Sequence, residues 1–157
     1  MKKVFHLVAA LATTLAMALP SHAANAIYPE WKDGIMSGAA NTAVSSCDLR
    51  AILVDLADYT YSAAHDFLDD IPAAARVAVS GTIASVTVVA GTLDSDNVTW
   101  SSVIGDESEA VVLYCHTGVD ATAPLVYFED SPLSGLPVTP NGGDITYTVN
   151  VGGWFTL

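Results

Sequence analysis

Short apolar runs separated by turn-forming residues fill the chain from residue 47 onward. The run at 145–151 alternates apolar and polar residues, as a half-buried strand does, whereas 47–56 becomes apolar on both faces, which is typical of a strand covered on both sides. Gly, Asp, Asn and Pro residues between the runs favour turns. The pattern predicts strands at 47–56, 76–80, 82–90, 98–103, 110–116, 125–129, 145–151 and 154–157.

The spacing of these strands leaves no room for the crossover helices that a parallel sheet needs. The sequence therefore predicts an all-β fold, an antiparallel β-sandwich or barrel of about eight strands. A short N-terminal helix is predicted at 28–36, because Pro29 suits a first turn, Trp31 and Ile35 share one face, and Gly38 is a stop signal. One helical turn is also predicted at 62–68, capped by its first residue, a serine.

The first 23 residues have the three parts of a secretory leader. These are Lys2 and Lys3, an apolar run at 4–19, and the small-residue site that ends at Ala23. The alternative is a membrane anchor, but the run is shorter than the roughly 20 apolar residues that span a bilayer. We expect a signal peptide at 1–23, with a second cleavage signal ending at Ala26, and a single exported β-rich domain at 24–157 that is not membrane-bound after leader cleavage.

The domain at 24–157 is strongly acidic. It carries all 17 acidic residues of the chain but only three basic ones, Lys32, Arg50 and Arg76, which gives a formal charge of −14. Such a charge repels phosphate backbones, so the sequence argues against nucleic-acid binding, and it disfavours anionic membranes for the same reason. The acids are scattered among apolar residues, which favours a folded domain with a solvated acidic surface.

Two cysteines, Cys47 and Cys115, lie in this domain. In an exported protein such a pair suggests a disulfide, which would close a loop of about 68 residues and stabilise the fold by about 4 kcal/mol. Two buried thiols are the alternative, because cysteine also packs as a small apolar residue. The sequence leaves this choice open.

No arrangement of residues in the sequence indicates an enzyme. The two histidines of the domain, His65 and His116, have neither a nucleophile elbow nor a zinc-ligand spacing around them. We therefore predict no catalytic residue, no metal ligand and no cofactor. The acidic clusters resemble calcium ligands only superficially and are better explained as turn formers; they are Asp66/Asp69/Asp70, Asp94/Asp96 and Asp106/Glu107/Glu109.

Several long motifs in the chain resemble a family of small structural proteins of tailed bacteriophages and prophages. They are YPEWK at 28–32, LVD at 53–55, DYTYSAAHDFLDDIP at 58–72 and GLPVTPNGGDI at 135–145, and the likeness extends over 26–157. The resemblance implies a β-rich component of the virion, on the head or the tail, and assigns no catalytic or ligand residue. Tailed-phage particles assemble in the cytoplasm, whereas here a leader precedes the similar region.

Two functions of different classes follow. The first is a non-catalytic phage-type structural protein that self-associates or docks on a capsid or tail lattice; its partners are itself or other virion-type proteins, and it is found in the virion if the leader is unused. Aromatic residues dominate interface energetics, so Trp31, Trp154 and Phe155 are candidate contact anchors, with core packing as the alternative. The second is a secreted module derived from a phage-type domain that binds calcium or surface carbohydrate.

Overall fold

The computed structural model describes residues 25–131 and 135–157. Within these ranges the chain forms an α-helix, three short 3₁₀ turns and ten β-strands arranged in three antiparallel sheets. The predicted all-β fold with a short N-terminal helix is confirmed. The predicted leader and its cleavage site after Ala23 lie outside the described residues.

A five-stranded sheet is the centre of the domain. Its strands are β1 (Ala26–Ile27), β2 (Asp48–Val54), β3 (Arg76–Val79), β7 (Ala110–His116) and β8 (Leu125–Glu129). Their order in the sheet is β1-β8-β7-β2-β3. The three middle strands are almost completely buried because their sequences are apolar on both faces.

Two smaller sheets complete the β structure. One has the strand order β10-β5-β4 and the other pairs β6 with β9. Their strands are β4 (Thr87–Val89), β5 (Thr92–Asp94), β6 (Val98–Trp100), β9 (Ile145–Tyr147) and β10 (Phe155–Thr156).

The central sheet is covered on both faces, in a layered, sandwich-like packing. Neighbouring residues of a strand point to opposite faces, so Tyr127 and Phe128 of β8 identify the two layers. Phe128 packs against Tyr61, with ring centroids 5.1 Å apart, which places the segment between β2 and β3 on one face. Tyr127 packs against Phe155 of β10 at 5.0 Å, which places the three-stranded sheet on the other.

The helix α1 spans Pro29–Ser37 and agrees with the predicted 28–36 to within one residue. Pro29 occupies its first turn, and Gly38 ends it in the left-handed conformation (φ 71°). Trp31 is buried, whereas Ile35 remains 38% exposed. No helix in residues 25–131 and 135–157 is long and apolar enough to cross a membrane.

Several local predictions were wrong. The strand predicted at 98–103 is reduced to β6, because Ser102 has a positive φ of 53°, and the strand predicted at 145–151 is reduced to β9, whose pairing with β6 ends at Tyr147. The strand predicted at 82–90 is reduced to β4, because Ser85 has a positive φ of 57° that breaks the extended backbone. The short strands β1 and β5 were not predicted. At β5 the sequence was misleading because Asp94 favours turns, yet it ends this strand and pairs with Thr87 of β4. The segment 62–68 forms a turn closed by the Ser62 hydroxyl instead of a helical turn, and a 3₁₀ turn follows at Leu68–Asp70.

Candidate interaction surface

A disulfide joins Cys47 and Cys115, whose Cα atoms are 5.6 Å apart. Cys47 directly precedes β2, and Cys115 lies opposite Leu49 near the end of β7. The bridge therefore ties the two longest central strands together at one end.

The three candidate contact anchors are used inside the domain. Trp31 is 3% exposed and donates from Nε1 to the Thr42 carbonyl at 3.0 Å. Trp154 is 6% exposed, stacks on Tyr147 and donates from Nε1 to the Ser95 hydroxyl at 2.9 Å. Neither tryptophan presents its ring to a partner.

Phe155, the third candidate, is half-buried between two other aromatic rings. It packs edge-on against Trp31 of α1, with centroids 5.7 Å apart, and against Tyr127 of the central sheet. This ring therefore holds the helix, β10 and the central sheet together. Core packing, the alternative weighed from the sequence, accounts for all three side chains.

The acidic clusters hold backbone turns in place. The Asp70 carboxylate accepts hydrogen bonds from the backbone N–H groups of Asp66 (2.8 Å) and Phe67 (3.3 Å). The Asp94 carboxylate accepts from Ser95 N at 2.9 Å, and that of Glu109 from Leu56 N at 2.9 Å. In the described part of the chain, no three His, Cys, Asp or Glu side chains are grouped so that they could hold a metal ion.

A chain of buried hydrogen bonds connects two of the motifs that carry the phage resemblance. The Tyr28 hydroxyl bonds to the Tyr59 hydroxyl at 2.9 Å, and the Tyr59 hydroxyl bonds to His65 Nδ1, also at 2.9 Å. Tyr28 is fully buried and Tyr59 is 4% exposed. Burial raises the pKa of Tyr59 to about 12 and that of Tyr28 still further, so both phenols remain neutral. These two hydrogen bonds fasten the 59–65 segment to Tyr28, at the start of α1.

A buried carboxylate lies on the opposite side of β8. Glu129 is 8% exposed, and burial raises the pKa of its carboxyl group, an effect that the hydrogen bond from Tyr147 only partly offsets. A raised pKa in the folded state means that the native protein binds the proton more tightly than the unfolded chain. The contribution of Glu129 to stability is therefore greatest at low pH and is lost as the pH rises through that raised pKa.

We expect Glu129→Gln to raise the melting temperature by about a few degrees near pH 7. The amide removes the buried charge, and its oxygen can still accept a hydrogen bond from Asn25 Nδ2, which donates to Glu129 Oε1 at 3.4 Å, or from Tyr147. Near pH 4 the gain should disappear, since the wild-type carboxyl group is then protonated. Thermal unfolding of both proteins at the two pH values tests this, with the exposed Glu30→Gln as the control. A variant that is less stable than wild type near pH 7 contradicts the prediction.

The surface of the domain has one extended stretch without charge. No charged residue and no proline lies between Arg76 and Asp94, and this is the longest uncharged run of the domain at 24–157. We call 77–93 the uncharged segment. It contains β3 from Val77 onward, all of β4 and the start of β5.

Both edge strands of the uncharged segment leave valines exposed. β3 is the last strand of the central sheet, and β4 is the last strand of the three-stranded sheet. Val79 of β3 is 47% exposed, and Val88 and Val89 of β4 are 47% and 70% exposed. The sequence analysis predicted strands here but did not single out this surface; the absence of charge from 77 to 93 was the available signal.

The segment differs from the rest of the domain, which is strongly acidic. Arg50 pairs with Asp48 and Arg76 with Asp120, each at 2.6 Å, so these two cations are already matched by acids of the same chain. The formal charge of −14 therefore leaves a surface that repels other copies of the chain. Acids border the uncharged segment, since the Thr82 hydroxyl donates to the Asp48 carboxylate at 2.6 Å and the Ser85 hydroxyl to the Asp96 carboxylate at 2.8 Å. The strand β4 itself carries no charged side chain.

Comparison with known proteins gave no match, either to a protein-family model or to a curated protein. The phage resemblance noted in the sequence stays a prediction.

Proposed function

We propose that the domain is an exported, non-catalytic structural protein of phage type, which works by associating with copies of itself or with a capsid or tail lattice. The observation that carries this proposal is the uncharged segment with its two exposed edge strands in an otherwise acidic domain. Unpaired strand edges are templates for association with another chain, and soluble proteins protect them with charged residues, prolines, bulges or very short strands. Between Arg76 and Asp94 this chain has no charged residue and no proline, so these two devices are absent from both edges.

The motifs that resemble those of phage structural proteins are consistent with the same proposal. Tyr59, Leu68 and Ile71, all from the 58–72 motif, are buried and cover the central sheet. Val138, from the 135–145 motif, forms a bridge with Ser108 beside β7. These motifs contribute packing and hydrogen bonds to the fold, as expected in a structural protein.

The disulfide supports export. A bridge that closes the fold between Cys47 and Cys115 requires an oxidising compartment, which the predicted leader would supply. The proposal therefore favours a phage-type domain that has been adapted to a location outside the cytoplasm.

Mass spectrometry of cell fractions tests the proposal. Gradient-purified particles, the periplasm and the culture fluid are compared, and the N-terminus of the protein is read in each. We expect a processed chain that begins at Ala24 or Ile27 and occurs in assemblies of high mass. An unassembled, full-length chain confined to the cytoplasm contradicts the proposal.

A secreted binding module is the second candidate, and a cavity beside α1 favours it. The cavity has a volume of about 360 Å³, and the residues that line it include the half-buried Phe67 and the acids Glu30, Asp33 and Asp66. These acids are not grouped so that they could hold a metal ion, so the lining suits a sugar better than a cation. A rise in melting temperature with a saccharide would favour this candidate, because a ligand that binds only the folded state stabilises it.

A further inference from the structure

We infer that β4 is a self-association edge and that its partner is β4 of a second copy of this chain, paired antiparallel about a two-fold axis. The inference rests on the proposed function and names the surface and the partner. It is argued from the hairpin geometry, the side chains and the charges around β4.

The hairpin formed by β4 and β5 determines which backbone groups are free. Its two-residue turn, Ala90–Gly91, has φ values of 51° and 81°, the pattern of a type I′ turn. The pair that closes such a turn, Val89 and Thr92, is hydrogen-bonded, so the next pair, Val88 and Leu93, is not. The N–H and C=O groups of Val88 therefore point away from β5.

Those groups face an open edge. In the part of the chain that the structure describes, β4 has β5 on one side and no strand on the other. An antiparallel second copy could place its own Val88 opposite this one, and the two residues would exchange two hydrogen bonds. A two-fold interface of this kind is self-complementary, since each copy offers the same surface.

The side chains of β4 suit the same partner. The side chain of Val88 lies on the same face of the sheet as that of the buried Leu93. Because Val88 is 47% exposed, the apolar surface on this face continues to the edge of the sheet. Across the two-fold axis Val88 would meet Val88 of the second copy. Val89 and Thr87 lie on the other face, where Val89 would lie opposite Thr87 of the second copy and Thr87 opposite its Val89, and cross-strand pairs of β-branched residues stabilise sheets.

Charge also favours β4. The acid that lies closest in the register is Asp94, opposite Thr87 on β5. In the paired sheet, three strand spacings of about 4.8 Å each would separate it from Asp94 of the second copy, about 14 Å in all. This exceeds the Debye length of about 8 Å at physiological salt, so the two carboxylates would be largely screened from each other.

The other exposed edge, β3, is less suited to pairing. The register between β2 and β3 shifts at Leu53/Val54, so β3 contains a bulge. Bulges bend an edge and are one of the devices that protect it from association. The register of β4 against β5 runs through three successive pairs without a shift.

An edge of three residues buries little area, so the association of two free domains should be weak. The acidic charge of the domain also makes the pairing salt-dependent, because salt screens the repulsion between copies.

Sedimentation velocity of the processed, disulfide-bonded chain tests the inference, at protein concentrations from about 1 μM to about 1 mM and at low and high salt. We expect a monomer–dimer equilibrium that shifts toward the dimer at high salt. Val89→Glu should weaken the dimer roughly tenfold or more, because it replaces a β-branched pair with Thr87 of the second copy and adds two like charges that are diagonal neighbours across the edge. Val89→Thr, which keeps a β-branched, uncharged side chain, should associate like wild type.

Val119→Glu is the matched control for charge, since Val119 is 58% exposed and lies outside the uncharged segment. It should leave the dimer within about twofold of wild type. The inference is overturned if the wild-type chain stays monomeric throughout, or if Val89→Glu and Val119→Glu weaken the dimer equally. Recovery of the protein in particles would then retain the proposed function with a different contact, whereas its absence from all assemblies would remove both.

Discussion

Removing the disulfide is expected to destabilise the domain by about 4 kcal/mol, because the bridge closes a loop of 68 residues in the unfolded chain. For a domain of this size, that loss corresponds to a fall of roughly 10–20 °C in melting temperature. We suggest Cys47→Ser with Cys115→Ala. Alanine is preferable at 115 because Cys115 is fully buried, and a serine hydroxyl there would add a desolvation cost of its own.

The measurement is thermal and urea unfolding of the double variant beside wild type, with reduced wild-type protein as the control. The variant and the reduced protein should unfold at similar temperatures, both well below the oxidised protein. Equal stability of the oxidised protein and the double variant would show that the bridge contributes nothing. The result also bears on location, since a domain that depends on this bridge would be weakened in a reducing cytoplasm.

The second large effect is expected at Tyr59, the middle of the Tyr28–Tyr59–His65 chain. Tyr59→Phe removes the hydroxyl that serves both neighbours and leaves the fully buried Tyr28 hydroxyl without its partner. An unsatisfied buried polar group costs about 1–3 kcal/mol, so we expect a loss of that size in the free energy of unfolding. Tyr28→Phe should cost less, because Tyr59 would still bond to His65.

The double variant Tyr28→Phe/Tyr59→Phe separates this explanation from a general loss of packing. With both hydroxyls absent, no buried phenol lacks a partner, and the half-buried His65 can bond to water. The double variant should therefore be more stable than Tyr59→Phe alone. Urea unfolding measures all three variants, and additive losses in the double variant would rule out the hydrogen-bond chain as the cause.

The sequence predicted the central strands well because their signal is local. The bounds predicted for β7 and β8, 110–116 and 125–129, agree with the structure, since each is a continuous apolar run between turn formers. The same holds for α1, where Pro29 and Gly38 mark the two ends. At these positions, propensity and tertiary packing favour the same structure.

The sequence-based predictions were wrong where contacts between distant parts of the chain determine the local structure. β5 ends in Asp94, a residue that favours turns, but pairing with β4 on one side and β10 on the other keeps the strand extended. Burial of Trp31 and Trp154 depends on partners far along the chain, Phe155 for Trp31 and Ser95 for Trp154. The disulfide could not be decided from sequence either, because it requires the two Cα atoms to meet at 5.6 Å across β2 and β7.

Hydrogen–deuterium exchange at the backbone amide of Val88 tests the central claim most directly. If the domain assembles through β4, exchange of this amide should slow as the protein concentration rises, because its N–H group would then donate to the second copy. The Val88 amide of Val89→Glu should show no such dependence. A Val88 amide that exchanges equally fast in free and assembled protein would contradict assembly through this edge.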